Sequence, residues 1–382
     1  MTPDSDLPTP ISRRARYLMI GGFLGAGKTT AVAALAQHLT AGGLRVGLIT
    51  NDQGSELVDT AMLRAKGFAT EEIPGGCFCC RFNSLVDAAD KLTAASRPDA
   101  FIAEPVGSCT DLVATVTYPL RRMYGDSFAI APLSVLVDPV RAERVFGLSE
   151  GKKFSDKVTY IYRKQLEEAD IIVITKTDLL PADRLQALRA RLAKEFPDAE
   201  ILDVSIRENR GVADWFTRLL DHEQVARATM QVDYDLYAEG EALLGWLNAT
   251  VQLAGDPAFD ADTVLTALAR DLQSRLAGAE IAHLKMTLSP DSGLGDIAVI
   301  NLVRSDFVPE LSLRLEEPVS SAQLIINCRA EADPDQLRDA VLAAVDAFPE
   351  KIPGLRAKLD HLEHFRPGKP RPTHRDAVPL PR

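Results

Sequence analysis

The chain has 382 residues, 46% hydrophobic and 25% charged, the balance of a folded protein too long for one ordinary core, so two domains are expected. A formal net charge of −11 speaks against a nucleic-acid partner, whose electrostatic footprint is basic. No apolar run approaches the roughly 20 residues of a membrane span, and the acidic, proline-rich residues 1–9 lack the apolar core of a secretory signal. A cytoplasmic location, with no membrane partner, is the default expectation. Five cysteines are too few for a disulfide framework, so any cluster among them points to metal or redox chemistry.

Residues 1–16 read as a flexible leader ending in Arg13-Arg14-Ala15-Arg16. The apolar run 17–20 predicts a strand, and residues 31–35 predict a helix. Between them stands Gly22-Phe23-Leu24-Gly25-Ala26-Gly27-Lys28-Thr29-Thr30, the glycine, four residues, glycine, lysine, threonine spacing of a phosphate-binding loop. Its glycines let backbone N–H groups turn onto phosphates at a helix N-terminus. Lys28 is expected to reach the β- and γ-phosphates and the Thr29 hydroxyl to ligate Mg²⁺. Residues 44–50 form a second predicted strand, and strand–helix–strand at this spacing implies a parallel sheet. That strand empties into Asn51-Asp52-Gln53-Gly54 at the edge where such sheets collect ligands. Asp52 reads as a Mg²⁺-side acid or as an ordinary turn or cap aspartate.

A helix over 57–66 and a strand over 68–73 lead to Pro74-Gly75-Gly76-Cys77-Phe78-Cys79-Cys80. Three of the five cysteines fall within four residues. Thiolates suit Zn²⁺, which prefers four N, S or O donors, so Cys77, Cys79 and Cys80 leave one place for water, a carboxylate such as Glu72, or a partner's ligand. An incompletely filled site suits transient loading. The helix expected over 83–92 would lower the thiol pKa values through its N-terminus. A redox-sensing cluster or inert cysteines are the competing readings.

The strand 101–104 ends in Glu104, followed by Pro105-Val106-Gly107-Ser108-Cys109-Thr110-Asp111. An acid there fits a Mg²⁺ or water-positioning role, with an N-cap as the alternative, and Gly107 allows a turn that senses the γ-phosphate. Residues 117–132 have no clear period and read as a lid or docking insertion. Strand 133–138 ends in Asp138, taken as structural because Pro139 starts a helix. A helix over 156–168 precedes the strand 169–174 and Thr175-Lys176-Thr177-Asp178. Lys-x-Asp after a buried strand reads guanine: the aspartate accepts from the base N1–H and 2-amino group, donors that adenine lacks. The lysine stem can lie across the base, and Thr175 braces the loop in part. The strand 201–205 brings Ser205 to where its N–H would meet the base O6, or makes it a plain cap.

Taken together, GGFLGAGKTT, GGCFCC, EPVGSCTD and TKTD resemble the CobW group of P-loop GTPases, relatives of HypB and UreG. The resemblance covers residues 17 to about 220 and reaches the ending Phe365-Arg366-Pro367-Gly368-Lys369-Pro370-Arg371-Pro372-Thr373-His374-Arg375. It implies a cytoplasmic GTPase that handles zinc or cobalt (Zn²⁺, with Co²⁺ as the other cargo). Gly22, Gly25, Ala26, Gly27, Lys28, Thr29 and Thr30 would hold phosphates and Mg²⁺, Thr175, Lys176, Asp178 and Ser205 the base, and Cys77, Cys79 and Cys80 the metal. Lys28 and Glu104 would be catalytic, and Thr29, Asp52 and Glu104 would stand around Mg²⁺. The chain departs from the family in Asp52, where many members carry Glu, and in Thr175, where they carry Asn.

The amphipathic stretch 215–227 closes a P-loop GTPase domain of mostly parallel sheet over 17–227. Residues 228–350 then predict a smaller α+β domain like that of CobW proteins. Its strand regions are 242–253, 281–288, 297–303 and 322–328, its helices 261–276 and 335–348, and a turn falls at Pro290-Asp291-Ser292-Gly293. His283 and Lys285 alternate with Leu284 and Met286, which reads as a solvated strand face, with the lining of an interdomain cleft as the alternative. Cys328 reads as a buried small hydrophobe. Residues 351–382, with His361, His364 and His374, read as a flexible tail; a metal ligand from His361 and His364 is the alternative. The expected function is a GTP-hydrolysing metallochaperone with slow intrinsic turnover that hands its metal to a client protein. A zinc-buffering regulatory module and an ATP-dependent kinase or ligase are the alternatives.

Overall fold

The computed structural model describes residues 14–53, 58–291 and 296–378; Gly54, Leu57, Ser292, Gly293 and most of the leader lie outside them. The first half contains β1 (Ala15–Gly22), α1 (Lys28–Ala41), β2 (Val46–Asn51), α2 (Val58–Ala65), β3 (Thr70–Ile73), α3 (Phe82–Ser96) and β4 (Ala100–Glu104). It continues through a π-helical turn (Val113–Thr117), α4 (Tyr118–Tyr124), β5 (Phe128–Ile130), β6 (Ser134–Val137), α5 (Pro139–Val145) and α6 (Asp156–Glu167). Then come β7 (Ile171–Ile174), a 3-10 turn (Thr177–Leu179), α7 (Ala182–Glu195), β8 (Glu200–Asp203) and α8 (Val212–Asp221). The second half comprises α9 (Tyr234–Leu243), β9 (Leu244–Phe259), α10 (Ala261–Arg275), β10 (Glu280–Pro290), β11 (Ala298–Leu302), β12 (Glu310–Leu313), β13 (Val319–Glu331), α11 (Pro334–Asp346), α12 (Phe348–Lys351) and β14 (Leu355–Phe365).

The first sheet has the order β3-β2-β4-β1-β6-β7-β8, with β5 beside the start of β1, and its pairings are parallel. Its inner strands are buried and mostly apolar because helices cover both faces. The order places β4 between β1 and β2, so Glu104 emerges beside the phosphate-loop residues and Asn51. Every predicted ligand-binding segment of this half leaves the sheet at its carboxyl edge.

The second sheet is antiparallel, ordered β12-β11-β10-β13-β9-β14. One face buries Leu247, Ala249, Leu284, Met286, Ile326 and Cys328 under α10 and α11, in a core of its own. Period-two alternation sends Trp246, Asn248, His283, Lys285, Asn327 and Arg329 to the opposite face. That face is not solvated, as the alternation suggested: it is laid on the first half. Asn327 accepts from the Val58 N–H at 3.0 Å and Arg329 pairs with Asp52 at 3.2 Å.

Three further expectations need correction. Ala15 and Arg16 belong to β1 rather than to the leader, and the Arg16 guanidinium is bound by the Leu219 carbonyl. Residues 117–132 form no lid: both ends of the segment are buried, it carries α4 and β5, and the Tyr118 hydroxyl is bonded to the Arg227 carbonyl. The supposed loose tail contains β14, whose long pairing with β9 satisfies its backbone, and residues beyond it return to the cysteine loop. His361 and His364 therefore stand on a strand, where a spacing of three gives opposite faces. None of the described helices is long and apolar enough to cross a membrane.

Candidate nucleotide site and thiol cluster

The phosphate loop leaves β1 and turns into α1 at Gly27, whose φ of 93° is open to glycine at little cost. Gly25 has φ 80°, and a Cβ there would stand 3.1 Å from the Ala282 carbonyl oxygen and from Val303, both of the second half. The loop is held from the β7 side. The Thr175 hydroxyl lies 2.8 Å from the Ala26 carbonyl oxygen and 2.9 Å from that of Val137. The Lys176 ammonium donates to the Gly25 carbonyl at 2.8 Å and to Asp138 at 2.9 Å. Thr175 thus braces the loop through one hydroxyl. Asp138 is structural as read: it caps α5 through the Arg141 N–H, and Lys176 and Arg304 hold its carboxyl down at about 2 against the opposing effect of burial.

At the base end, the Asp178 carboxylate accepts from the Ser205 hydroxyl at 2.6 Å. The Ser205 N–H is already committed to the Arg210 carbonyl at 2.9 Å. Ser205 therefore orients the aspartate instead of offering its own N–H to the base, a correction that residue spacing alone cannot reveal. At the phosphate end, the Thr29 hydroxyl lies 2.5 Å from Asp59 and 2.9 Å from Glu104. Burial, then the neighbouring Asp59 carboxylate, push Glu104 up to about 7, and its Oε2 is buried without a hydrogen-bond partner among the described residues. Burial likewise lowers Lys28 from its ordinary value, with Glu104 opposing. Asp52 is engaged by Arg329, and the acid that joins Glu104 on the Thr29 hydroxyl is Asp59 of α2. No motif marks Asp59 in the sequence; only the packing of α2 against α1 brings it there.

Gly25, Gly27, Lys28, Thr29, Asp52, Asp59, Glu104, Thr175, Lys176 and Asp178 line a cavity of about 430 Å³, within the range of small-molecule sites, which also takes in Thr30. His283, Lys285, Asn301 and Val303 of the second half close its other wall. Lys285 donates to Asp59 at 2.5 Å and to Thr29 at 3.2 Å. Burial holds the His283 imidazole well below its usual value, and so neutral.

Cys77, Cys79 and Cys80 form the one group of three or more potential metal donors found among the described residues, with Sγ separations of 2.7, 3.2 and 3.8 Å. Four sulfurs each about 2.3 Å from a zinc ion stand about 3.8 Å apart, which is the Cys79–Cys80 separation; the two pairs that include Cys77 are closer and would have to open to admit the ion. Glu72 is not in the group. Neither is Cys109, which motif reading left unused, yet its buried thiol is in hydrogen-bond contact with Cys77 and Cys79. The Cys77 thiol is held well below its ordinary value by the thiols of Cys109, Cys79 and Cys80, and Cys79 is pushed up by the same contacts. The lowering falls on one thiol, and neighbouring thiols are its leading cause.

Two backbone routes join the clusters. Asn51, at the end of β2, donates to the Ile73 and Gly76 carbonyls of the cysteine loop at 2.9 and 2.6 Å. The turn after Glu104 runs from the phosphate end to Cys109, and a Cβ at Gly107 would lie 2.6 Å from the Leu24 side chain and 3.0 Å from its backbone nitrogen. Gly107 is needed for that approach, not for a special φ. Gln165 fixes the turn through the Gly107 and Cys109 carbonyls at 2.9 and 2.8 Å, and Ser108 donates to Glu241 at 2.6 Å.

Residues 16–203 match the family model for CobW/HypB/UreG, nucleotide-binding domain. The chain is 33% identical over 190 residues to the zinc chaperone CobW of Sinorhizobium sp, covering 45% of this chain and 53% of that protein. It is 28% identical over 343 residues to the zinc chaperone YeiR of Escherichia coli K12, covering 86% and 97% respectively. Among solved structures, it is similar to the Zn(II)-bound YjiA GTPase of E. coli at 15% identity and a TM-score of 0.36, covering 87% of this chain and 99% of that one. On the loop, the sheet order and this match, residues 16–203 are a nucleotide-binding domain of the CobW/HypB/UreG family.

Proposed function

We propose that the protein is a GTPase whose nucleotide state sets its hold on a thiophilic metal, Zn²⁺ by preference, before transfer to a client protein. The observation that carries this reading is the 105–109 segment, which starts at the acid on Thr29, packs on Leu24 and ends on the thiols. A change at the γ-phosphate thus has a short covalent route to the metal donors.

GTP lies in the interdomain cavity, its phosphates on Gly25 to Thr30 and its base on Asp178, with Lys176 fixed beside the loop. Thr29 and Glu104 would hold Mg²⁺, joined by Asp59; the free Glu104 Oε2 and the converging oxygens fit a hard cation. The chemistry a Mg²⁺ ion would supply there is offsetting of the charge on the phosphates in the transition state. Lys28 binds the terminal phosphates and Glu104 orients the attacking water. Cys77, Cys79 and Cys80 take the metal as cargo, with Co²⁺ accepted by the same donor set. The zinc-chaperone relatives support this choice of cargo.

The test is Zn²⁺ affinity of the full chain in nucleotide-free, GDP and GTP-analogue states, with GTP turnover measured with and without Zn²⁺. Affinities should differ between states by at least about fivefold, the lower end of ordinary coupling energies. Replacing all three loop cysteines by serine should abolish tight Zn²⁺ binding and the effect of Zn²⁺ on turnover. Equal affinities in all states, with turnover unchanged in the cysteine variant, would leave no metallochaperone cycle.

A further inference from the structure

Three oxygens converge at the end of the phosphate loop: Thr29 Oγ1, Asp59 Oδ1 and Glu104 Oε1. The Thr29 hydroxyl has one hydrogen and cannot donate to both carboxylates. Its oxygen and Asp59 are bound instead by the Lys285 ammonium, at 3.2 and 2.5 Å. Glu104 is buried and Asp59 and Lys285 are partly buried, and Asp59 and Glu104 are the leading charges that keep Lys285 protonated against burial. An all-oxygen donor set that includes the P-loop threonine is what a hard divalent cation requires. In this structure the cation at that set is a side chain from the second sheet.

We propose that Lys285 is a built-in competitor for Mg²⁺: its ammonium occupies the Mg²⁺ position of the nucleotide site and must leave it when Mg²⁺–nucleotide binds. One positive charge satisfies Asp59 in either state, so the two cations exclude each other. Lys285 sits on β10, and β10 pairs with β13, which carries Asn327 and Arg329 to the same interface. Ejecting the ammonium removes the ion pair between the two halves at the phosphate end. Nucleotide loading is thereby reported to the second domain without any contact between that domain and the base. Lys285 is a positioning residue in this account. The inference rests on the reading of the cavity as a Mg²⁺–nucleotide site.

The experiment titrates the nucleotide-free full chain with Mn²⁺, followed by electron paramagnetic resonance, in the wild type, Lys285→Met and Lys285→Arg. Removing the competing charge should tighten Mn²⁺ binding at least about tenfold in Lys285→Met, while Lys285→Arg stays within about twofold of the wild type. Equal or weaker Mn²⁺ binding in Lys285→Met overturns the proposal. Should that variant fail to fold, reductive methylation of the wild-type protein, read by mass spectrometry, decides instead. Lys285 should be protected in the free protein and in GDP with EDTA, and become reactive in GDP with Mg²⁺. Unchanged protection on adding Mg²⁺ overturns it. A wild type that binds no GDP removes the nucleotide reading and this inference together; normal GDP binding with equal Mn²⁺ affinities removes the inference alone.

Discussion

Asp178 shows at the residue scale how a motif side chain acquires its aim. The carboxylate is largely buried, and Ser205 donates to one of its oxygens, leaving the other to face the cavity near Arg207. A base with two adjacent donors satisfies it; adenine leaves it desolvated and unpaired. Asp178→Asn is therefore expected to weaken GTP binding at least about tenfold while ATP binding shifts less than about twofold, measured by competition with a fluorescent nucleotide. An equal loss for both nucleotides would mean that the residue shapes the loop without reading the base. Thr175 belongs to the same scale: its one hydroxyl lies within hydrogen-bond reach of both the Ala26 and the Val137 carbonyls and so ties the phosphate loop to the end of β7.

Among elements, the 105–113 segment is held most heavily. Glu168, just past the end of α6, accepts from the Val113 N–H at 3.0 Å and the Thr110 hydroxyl at 3.2 Å. Burial raises its carboxyl from 4.5 to about 8, with Asp111 adding to the rise and the Val113 N–H opposing it. The folded chain thus keeps a proton up to about pH 8 that the unfolded chain releases near 4.5. Stability from this group is greatest below pH 4.5 and falls as pH rises toward 8, at no more than about 1.4 kcal/mol per pH unit. Glu168→Gln can still accept from Val113 and donate to Thr110. Chemical denaturation of wild type and variant should show their difference growing in the variant's favour from pH 5 to pH 8; a difference independent of pH would mean that Glu168 is ionised in the fold. The segment beyond β14 is the other element of note. Arg371 donates its N–H to the Cys80 sulfur at 3.1 Å, Thr373 its N–H to the Cys79 carbonyl at 2.8 Å, and Arg375 pairs with the buried Asp111 at 2.7 Å. The chain end straps the cysteine loop to the turn that carries Cys109.

Across the whole molecule, the two halves share polar contacts as well as core: Trp246 and Ala282 belong to the first half's buried cluster, and Val299 to a smaller one with Val58 and Met62. Arg141 of α5 is buried, lies over the Phe154 ring at 4.7 Å and donates to the Ile281, Ala282 and Val303 carbonyls of the second half. Arg304 reaches back to Asp138 at 3.2 Å. Charged donors on carbonyls are worth more than neutral ones, and removing one partner strands the rest. Calorimetry of the wild type should give one unfolding transition. Arg141→Ala should lose about 3 kcal/mol in urea denaturation and resolve into two transitions. A single transition in both, with equal stability, would mean that the halves are held by other contacts.

The sequence by itself determined the α/β half, its phosphate loop, the Lys-x-Asp segment and the thiol loop, because each is local: a few residues whose chemistry and spacing suffice. The strands of the second half were also legible, since their period-two apolar face has to find helices. What covers the polar face was not, because His283, Lys285, Asn327 and Arg329 alternate as solvated residues do. Only the docking of the halves turned that face into the wall of a site. The same holds for Asp59, which arrives on Thr29 through the packing of α2, and for Cys109, which meets the other thiols because β4 lies beside β2. Local chemistry names the donors; long-range packing, invisible to spacing, selects which of them meet.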